Sequence, residues 1–411
     1  MSDITVKFLT FSANDERLYA HHLLKLSDCM KYLIAILGFV LVIIMLWDAF
    51  EVIILPRRVT HRFRFSRFFY RSTWQLRSIF TEWIAGDKRR ESYLSIFGPL
   101  SLLLLLSVWA TGIIAGFAML QWGLQDRLVG QSVTSFLTYS YFSGTTFFTL
   151  GLGDVLPWGR MGRTLVVVEA GLGFAFLGGV ISYLPMIYQT FSRREVSISL
   201  LDARAGSPPS AGELLRRNGE DMSELRRLLV DWERWSAEVL ESHLSYPFLV
   251  YFRSQHTNQS WLAALTTILD ACALVITGID DGPKRQAQLT FAKARQAVVE
   301  LSQIFVLSPP TLALDRLPSS SLSDLGKMLA ETGVILRNDV ATEERLRELR
   351  RMYEPNVQAM SDYLLFLLPQ WFRISETPDC WQISNWQTPI LSIATDDSAI
   401  QEKNAKRFAE G

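Results

Sequence analysis

Six consecutive residues carry the chemistry for which this sequence of 411 residues is best read: Thr149-Leu150-Gly151-Leu152-Gly153-Asp154. A cation stripped of water needs oxygen ligands, and successive backbone carbonyls supply them when all point to one axis. L-residues in an extended strand alternate the direction of their carbonyls. Left-handed dihedrals at every second position bring the carbonyls to one side, and glycine adopts them at little steric cost. Gly151 and Gly153 have that spacing, Thr149 adds a hydroxyl at one mouth, and Asp154 places negative charge at the other. Other chemistries are not visible. Cys29, Cys272 and Cys380 match no metal-ligand spacing, and an odd number argues against a disulfide framework. His243 and His256 lie too far apart in sequence to read as a metal pair. There is no catalytic constellation, no Gly-x-Gly-x-x-Gly after a strand and no cyclic-nucleotide pocket signature. We therefore expect neither an enzyme nor a cofactor. Lys+Arg and Asp+Glu both number 41, so overall charge indicates no nucleic-acid partner.

Such a strand needs elements to hold it. About 20 apolar residues cross a bilayer, and three stretches qualify: Tyr32 to Ile54, about Ile96 to Leu120 within the charge-free run Ser92 to Gln125, and Thr164 to Ser192 with Glu169 as its one acid. The first run is too long for a signal peptide, lacks a small-residue cleavage site and is followed by Arg-rich sequence, so a retained span is expected. Residues 56–94 hold ten Lys or Arg and three acids. That bias marks the cytoplasmic side and places the N-terminus outside. Ser192-Arg193-Arg194 agrees, placing the C-terminus inside. Arg64, Arg67 and Arg71 mixed with Phe65, Phe68, Phe69, Trp74 and Phe80 suit a helix in the headgroup region, an anchor or a gating linker. Asp48 and Glu51, near the inner end of the first span, are expected at the interface paired with Arg57 and Arg58, with gating as the alternative. Val133 to Phe148 is apolar but too short to cross, and it runs directly into the six residues. Non-helical backbone at that depth must be buried in protein or line a water-filled cavity.

A short re-entrant helix, the Gly-x-Gly-Asp strand and two flanking spans together resemble the potassium-channel superfamily, whose filter reads Thr-Val-Gly-Tyr-Gly-Asp. The resemblance covers about residues 95 to 190. It implies that the carbonyls of Thr149, Leu150, Gly151 and Leu152 form the ion sites, that potassium is the permeant ion, and that four chains surround one axis as a homotetramer. Leu152 stands where the family usually has an aromatic, although the second pore loop of two-pore-domain channels can carry Gly-Leu-Gly-Asp. Thr145 stands where the family has a pore-helix glutamate that braces the Asp. Thr145, Thr146 and Glu169 are the expected filter support. Glu169 either hydrogen-bonds Thr145 or Thr146 or faces the cavity. Gly171 and Gly173 are candidate gating hinges, Gly173 falling where the family has one, or they pack helices closely. The stretch from Glu241-Ser242-His243-Leu244 to Ser260-Trp261-Leu262-Ala263-Ala264-Leu265 is similar to the tail of bacterial potassium channel family proteins, which implies a bacterial inner membrane.

The expected fold class is thus all-α. A pore module of three transmembrane helices, a re-entrant pore helix and a filter precedes a helical cytoplasmic domain. The segments are 1–31 outside, 32–55 first span, 56–94 basic linker, 95–192 pore module, 193–395 helical domain and 396–411 disordered tail. Within the domain, helices are expected over Gly212 to Leu244, Trp261 to Ile279, Lys284 to Ile304, Leu322 to Arg337, Glu343 to Met352 and Val357 to Phe372. Asp270 at the centre of Ser260 to Ile279 makes a buried core helix the better reading than a fourth span. Membrane lipids are the other expected partner, and no gating ligand is indicated. A potassium-conducting cation channel is the leading reading. The alternatives are a non-selective cation channel and a receptor or scaffold with a vestigial pore.

Overall fold

Where the sequence lacks charge, the chain is helical. The computed structural model describes residues 29–55, 65–81, 83–84, 86–124, 128–129, 135–219, 221–254, 259–305 and 315–372. Expectations for the N-terminal segment, Arg57, Arg58, Arg64, His256, Cys380 and the tail lie outside these residues. The order is α1 (Cys29–Ile53), α2 (Phe65–Thr81), α3 (Asp87–Ser95), α4 (Phe97–Gly123), β1 (Leu128–Val129), α5 (Phe136–Phe147), β2 (Leu156–Pro157) and α6 (Arg160–Ala205). Then come α7 (Ala211–Asn218), α8 (Met222–Ser245), a 3-10 turn at Pro247–Tyr251, α9 (Trp261–Gly278), α10 (Lys284–Ile304), α11 (Ser319–Ala330), α12 (Val340–Arg351) and α13 (Glu354–Leu364). Among the described residues the fold is all-α apart from the antiparallel pairing of β1 with β2, Leu128 opposite Pro157 and Val129 opposite Leu156, and an isolated antiparallel bridge between Ile279 and Leu336. Two compact units are present, one within residues 1–83 and 99–187, the other within 84–98 and 188–411.

In the first unit α1 lies on α4 at glycine-lined contacts. A Cβ on Gly38 would come within 2.5 Å of the Gly116 carbonyl oxygen, and one on Gly116 within 2.6 Å of Val42. Gly112 and Gly116 form the small-xxx-small pattern that lets membrane helices approach closely. Asp48 and Glu51 are both buried, and their expected partners Arg57 and Arg58 lie outside the described residues. Asp48 accepts from Trp109 Nε1 at 2.9 Å and from the Ser66 amide at 3.1 Å, which closes the first turn of α2. Glu51 accepts from Trp47 Nε1 at 3.0 Å. The helix α6 has 46 residues and is about 69 Å long at 1.5 Å per residue, about twice the hydrocarbon thickness. It runs through Arg193 and Arg194 to Ala205, past the basic residues taken as the membrane exit.

The second unit is built around α9. This helix is long and apolar enough to span a membrane, yet it is almost wholly buried in protein, in contact with α7, α8, α10, α12 and α13. Asp270 is fully buried there and accepts from Arg316 Nη2 at 2.7 Å and the Tyr353 hydroxyl at 2.5 Å. Arg316 also donates to Glu354 Oε1 and to the Pro369 carbonyl. The helix expected over Gly212 to Leu244 is two. Asp221 N-caps α8 through the Ser223 and Glu224 amides, and a Cβ on Gly219 would overlap Val334. Two other helices stop early, α11 before Gly333 at φ 80° and α13 at Leu365, left-handed at φ 56°.

His243 of α8 is buried and neutral. Its Nδ1 donates to the Val239 carbonyl at 2.7 Å and its Nε2 accepts from Arg194 Nη1 at 3.3 Å. Burial, and then the charge of Arg194, push it down from 6.5 to about 3. Between those values the unfolded chain binds the proton and the native chain does not. The contribution of His243 is therefore complete above pH 6.5 and is lost as pH falls toward about 3, at about 1.4 kcal/mol per unit. Thermal unfolding of the full chain in detergent from pH 7 to pH 4 should show this slope, and His243→Gln should flatten it.

Candidate functional site

The site is built from the end of α5. Ser135 caps this helix, its Oγ accepting from the Thr138 amide at 3.3 Å. Twelve residues give about 18 Å, too short to cross a bilayer of about 30 Å. The Phe148 amide closes on the Gly144 carbonyl at 3.1 Å, the Thr149 amide on Thr146 at 2.9 Å and the Leu150 amide on Thr145 at 2.8 Å. Thr145 and Thr146 thus hold the start of the strand through their carbonyls. The Thr145 hydroxyl itself turns back to Phe142.

Three alternate residues are left-handed: Thr149 at φ 55°, Gly151 at φ 56° and Gly153 at φ 78°. Glycine was expected at two of these positions, and the threonine is the addition. A β-branched residue in this region is strained by about 1–3 kcal/mol and persists only where its surroundings hold it. Its own amide and that of Leu150, tied to α5, do so. The side chains of Leu150 and Leu152 are 61% and 62% exposed, so in a single chain the strand is uncovered. Beyond it, Asp154 accepts from the Tyr141 hydroxyl of α5 at 2.9 Å. The brace that a residue at Thr145 would supply thus comes from Tyr141, one turn earlier. Val155 is buried with Ala118, Leu128, Tyr139 and Phe142, which anchors the strand's far end beside the β1–β2 pair.

Glu169 is fully buried and joins three helices. Gln121 Nε2 of α4 donates to its Oε2 at 3.1 Å, and the Ser143 hydroxyl of α5 lies against its Oε1, sharing its proton with the Ile114 carbonyl at 2.8 Å. This corrects the expected partner, Thr145 or Thr146, and the cavity-facing alternative. Residues 143 and 145 stand about 200° apart around a helix, and Ser143 is on the face that packs on α4 and α6. A polar residue in an apolar span needs a polar partner, so Gln121 and Glu169 could have been paired on that ground alone. Gly173 packs against the end of α5, where a Cβ would overlap the Phe147 carbonyl oxygen. Gly171 has no atom within 4 Å of a built Cβ, nor do Gly178 and Gly179. Of hinge and packing, the surroundings of Gly173 are those of packing. Pro185, inside α6, was not singled out from sequence.

The arrangement is that of a membrane protein whose short re-entrant helix presents a strand of alternating handedness between two spanning helices. Residues 103–189, which contain the short helix, the strand and most of both flanking helices, match the family model described as Ion channel. The segment thus has the likeness to ion channels that its residues imply. An uncharacterized membrane protein of Bacillus subtilis (strain 168), YdjJ, is 23% identical over 264 residues, covering 61% of this chain and 76% of its own length. No solved structure matches the chain.

Replacing Gly173 by Ala should separate α6 from α5, because the new methyl has no room at the Phe147 carbonyl. The expected cost is about 1–3 kcal/mol. Gly171→Ala, with open space around it, should leave the melting temperature of the purified chain within a degree or two. Equal melting curves for the two variants would contradict this packing.

Proposed function

We propose that the chain is a subunit of a homotetrameric cation channel that conducts potassium passively across a bacterial inner membrane, without catalysis or cofactor. The observation that carries this reading is the alternation of left-handed residues at Thr149, Gly151 and Gly153. That alternation suits a cage in which the carbonyls of Thr149, Leu150, Gly151 and Leu152 replace the water of a cation. One strand per chain makes a four-fold cage a matter of four chains, and the open side of the strand suits neighbouring copies. The end of α5, with roughly half a negative charge on its last carbonyls, precedes Thr149, and Asp154 follows the strand. Both favour a cation over an anion. Residues 95–192 would form the pore module, with Glu169 and the carbonyls of Thr145 and Thr146 as its support. The remaining helical domain would lie in the cytoplasm and modulate opening. Lipid headgroups would meet the basic and aromatic residues of α2.

A non-selective cation channel is the second reading, favoured by Leu152, which lacks the hydroxyl that the aromatic of related filters can offer to its pore helix. A receptor with a vestigial pore fits less well, because the strained handedness at Thr149 would have no use.

Reversal potentials of the reconstituted full chain in potassium and sodium gradients decide between these readings. Within one chain Gly151→Ala meets no atom within 4 Å, so there its cost is backbone strain, about 1–2 kcal/mol in each of four copies. Flux should collapse while the protein still reaches the membrane. Leu152→Tyr should raise the preference for potassium. Normal currents from Gly151→Ala together with an unshifted reversal potential for Leu152→Tyr would mean that ions do not pass along this strand. For orientation, a background lacking Cys29, Cys272 and Cys380 should carry Ser12→Cys or Ser320→Cys. An impermeant thiol reagent applied to intact cells should label the first and spare the second.

A further inference from the structure

The second unit contains chain from both sides of the pore segment: α3 and the first residues of α4 before it, and the last part of α6 after it. One short element touches both. The 3-10 turn Pro247–Tyr251 leads into Phe252 and Arg253. The ring of Tyr251 stands edge-on to Phe97 at 5.4 Å. The ring of Phe252 lies on Gly98, where a Cβ would come within 2.6 Å of its Cδ2. The same ring is 5.6 Å from Phe191 of α6. Arg194, a turn further along α6 and buried, donates to the carbonyls of Leu249 at 3.0 Å and Phe252 at 2.6 Å. Arg253 donates to Glu91 Oε2 of α3 at 2.5 Å, to the Leu364 carbonyl at 2.7 Å and to the Leu365 carbonyl at 3.0 Å. Its guanidinium lies 4.5 Å from the ring centre of Phe366.

These contacts are more demanding than ordinary packing. A guanidinium taken out of water is tolerated only where its donors are met. The side chain of Arg253 is 2% exposed, and among the described residues its carboxylate partner is Glu91, whose own side chain is 50% exposed. Its carbonyl partners sit where α13 ends, and Leu365 takes a left-handed φ of 56° there. Arg253 therefore holds α3 and the end of α13 in one arrangement, and Arg194 holds the same turn to α6. Only Ile96 separates α3 from α4. Whatever moves the turn moves the near ends of both helices that flank the pore strand.

We propose that residues 247–253 are the coupling element through which the helical unit acts on opening, with Arg194 and Arg253 as positioning residues and Glu91 as the contact whose release frees α3. This rests on the channel reading of residues 103–189. The test is single-channel recording of the full chain in planar bilayers, with melting temperature measured in parallel. Glu91→Gln and Gly98→Ala should each shift open probability by about 2- to 30-fold, with the reversal potential unchanged. Arg295→Gln, on an exposed position of α10, should not. Glu91→Gln combined with Arg253→Gln should shift it no further than the larger single change, since both remove one contact. If Arg253→Gln does not fold, Glu91→Gln and Gly98→Ala decide alone. Open probability within about twofold of the parent in both, with a lowered melting temperature, would make the element merely structural and overturn the proposal. A parent chain that passes no current would instead overturn the channel reading and take the coupling role with it, an outcome read before any variant is compared.

Discussion

A backbone carbonyl turned away from its own chain's amides must find another partner, and the first unit is arranged around a strand that has this problem. Left-handed residues at every second position take Thr149 to Gly153 out of any ladder. Among the described residues no donor reaches their carbonyls. At membrane depth an unmet carbonyl costs several kcal/mol, and a cation or water along the strand, as the proposed channel function requires, would meet it. The surrounding structure keeps the strand from relaxing into an ordinary turn. The amides of Thr149 and Leu150 are fixed to α5, Tyr141 holds Asp154, and Val155 is sunk among Ala118, Leu128, Tyr139 and Phe142. The shortness of α5, the depth of Glu169 and the missing side chain at Gly173 all serve to bring that helix end to one place.

Two kinds of information were legible in the sequence and two were not. Charge-free length located the spans, and the two-residue spacing of Gly151 and Gly153 located the strand, because both depend on residue type along the chain. The partner of Glu169 depends on angle around α5. A step from Thr145 to Ser143 is trivial along the sequence and about half a revolution in space. Asp48 shows the same limit. Trp109, 61 residues away in sequence, donates to its carboxylate, while the expected partners Arg57 and Arg58 lie outside the described residues. The basic pair after Ser192 was read as the membrane exit, but charge bias carries no information on burial. Arg194 proved to be an internal residue of the second unit, on a helix that continues to Ala205. Thr149 was read for its hydroxyl, and its handedness was visible only in the structure.

Among the described residues, buried acids of the two units meet different kinds of donor. In the first, Asp48 accepts from an indole and an amide, and Glu169 from an amide side chain and a hydroxyl. In the second, Asp270 is matched by Arg316, and Glu354 by Arg316 and Arg350. A guanidinium inside a bilayer would itself need a counter-charge and full hydrogen bonding. Neutral donors satisfy a carboxylate there without adding a second ion. In the second unit the pairing stays close to solvent: Arg350 also bridges to Asp315, whose side chain is 60% exposed. The ion pair of Asp270 with Arg316 places α9 in that unit's core despite its apolar composition.

The helix α6 is where these constraints meet. Its first half bears Glu169 and Gly173, both immobilised against α4 and α5, and its last turns bear Phe191 and Arg194, immobilised by the Phe252 turn. Pro185 lies between. A proline inside a helix leaves the carbonyl four residues back, here Ile181, without its amide, and it is the commonest site of a kink. Gly178 and Gly179, on open faces just before it, add no side chain that would resist bending. Pro185 and these glycines thus make this the stretch of α6 with the least local resistance to bending. Gly173, which cannot leave the Phe147 carbonyl without opening a void, is the less suitable place to bend, even though its position along the sequence made it the first hinge candidate.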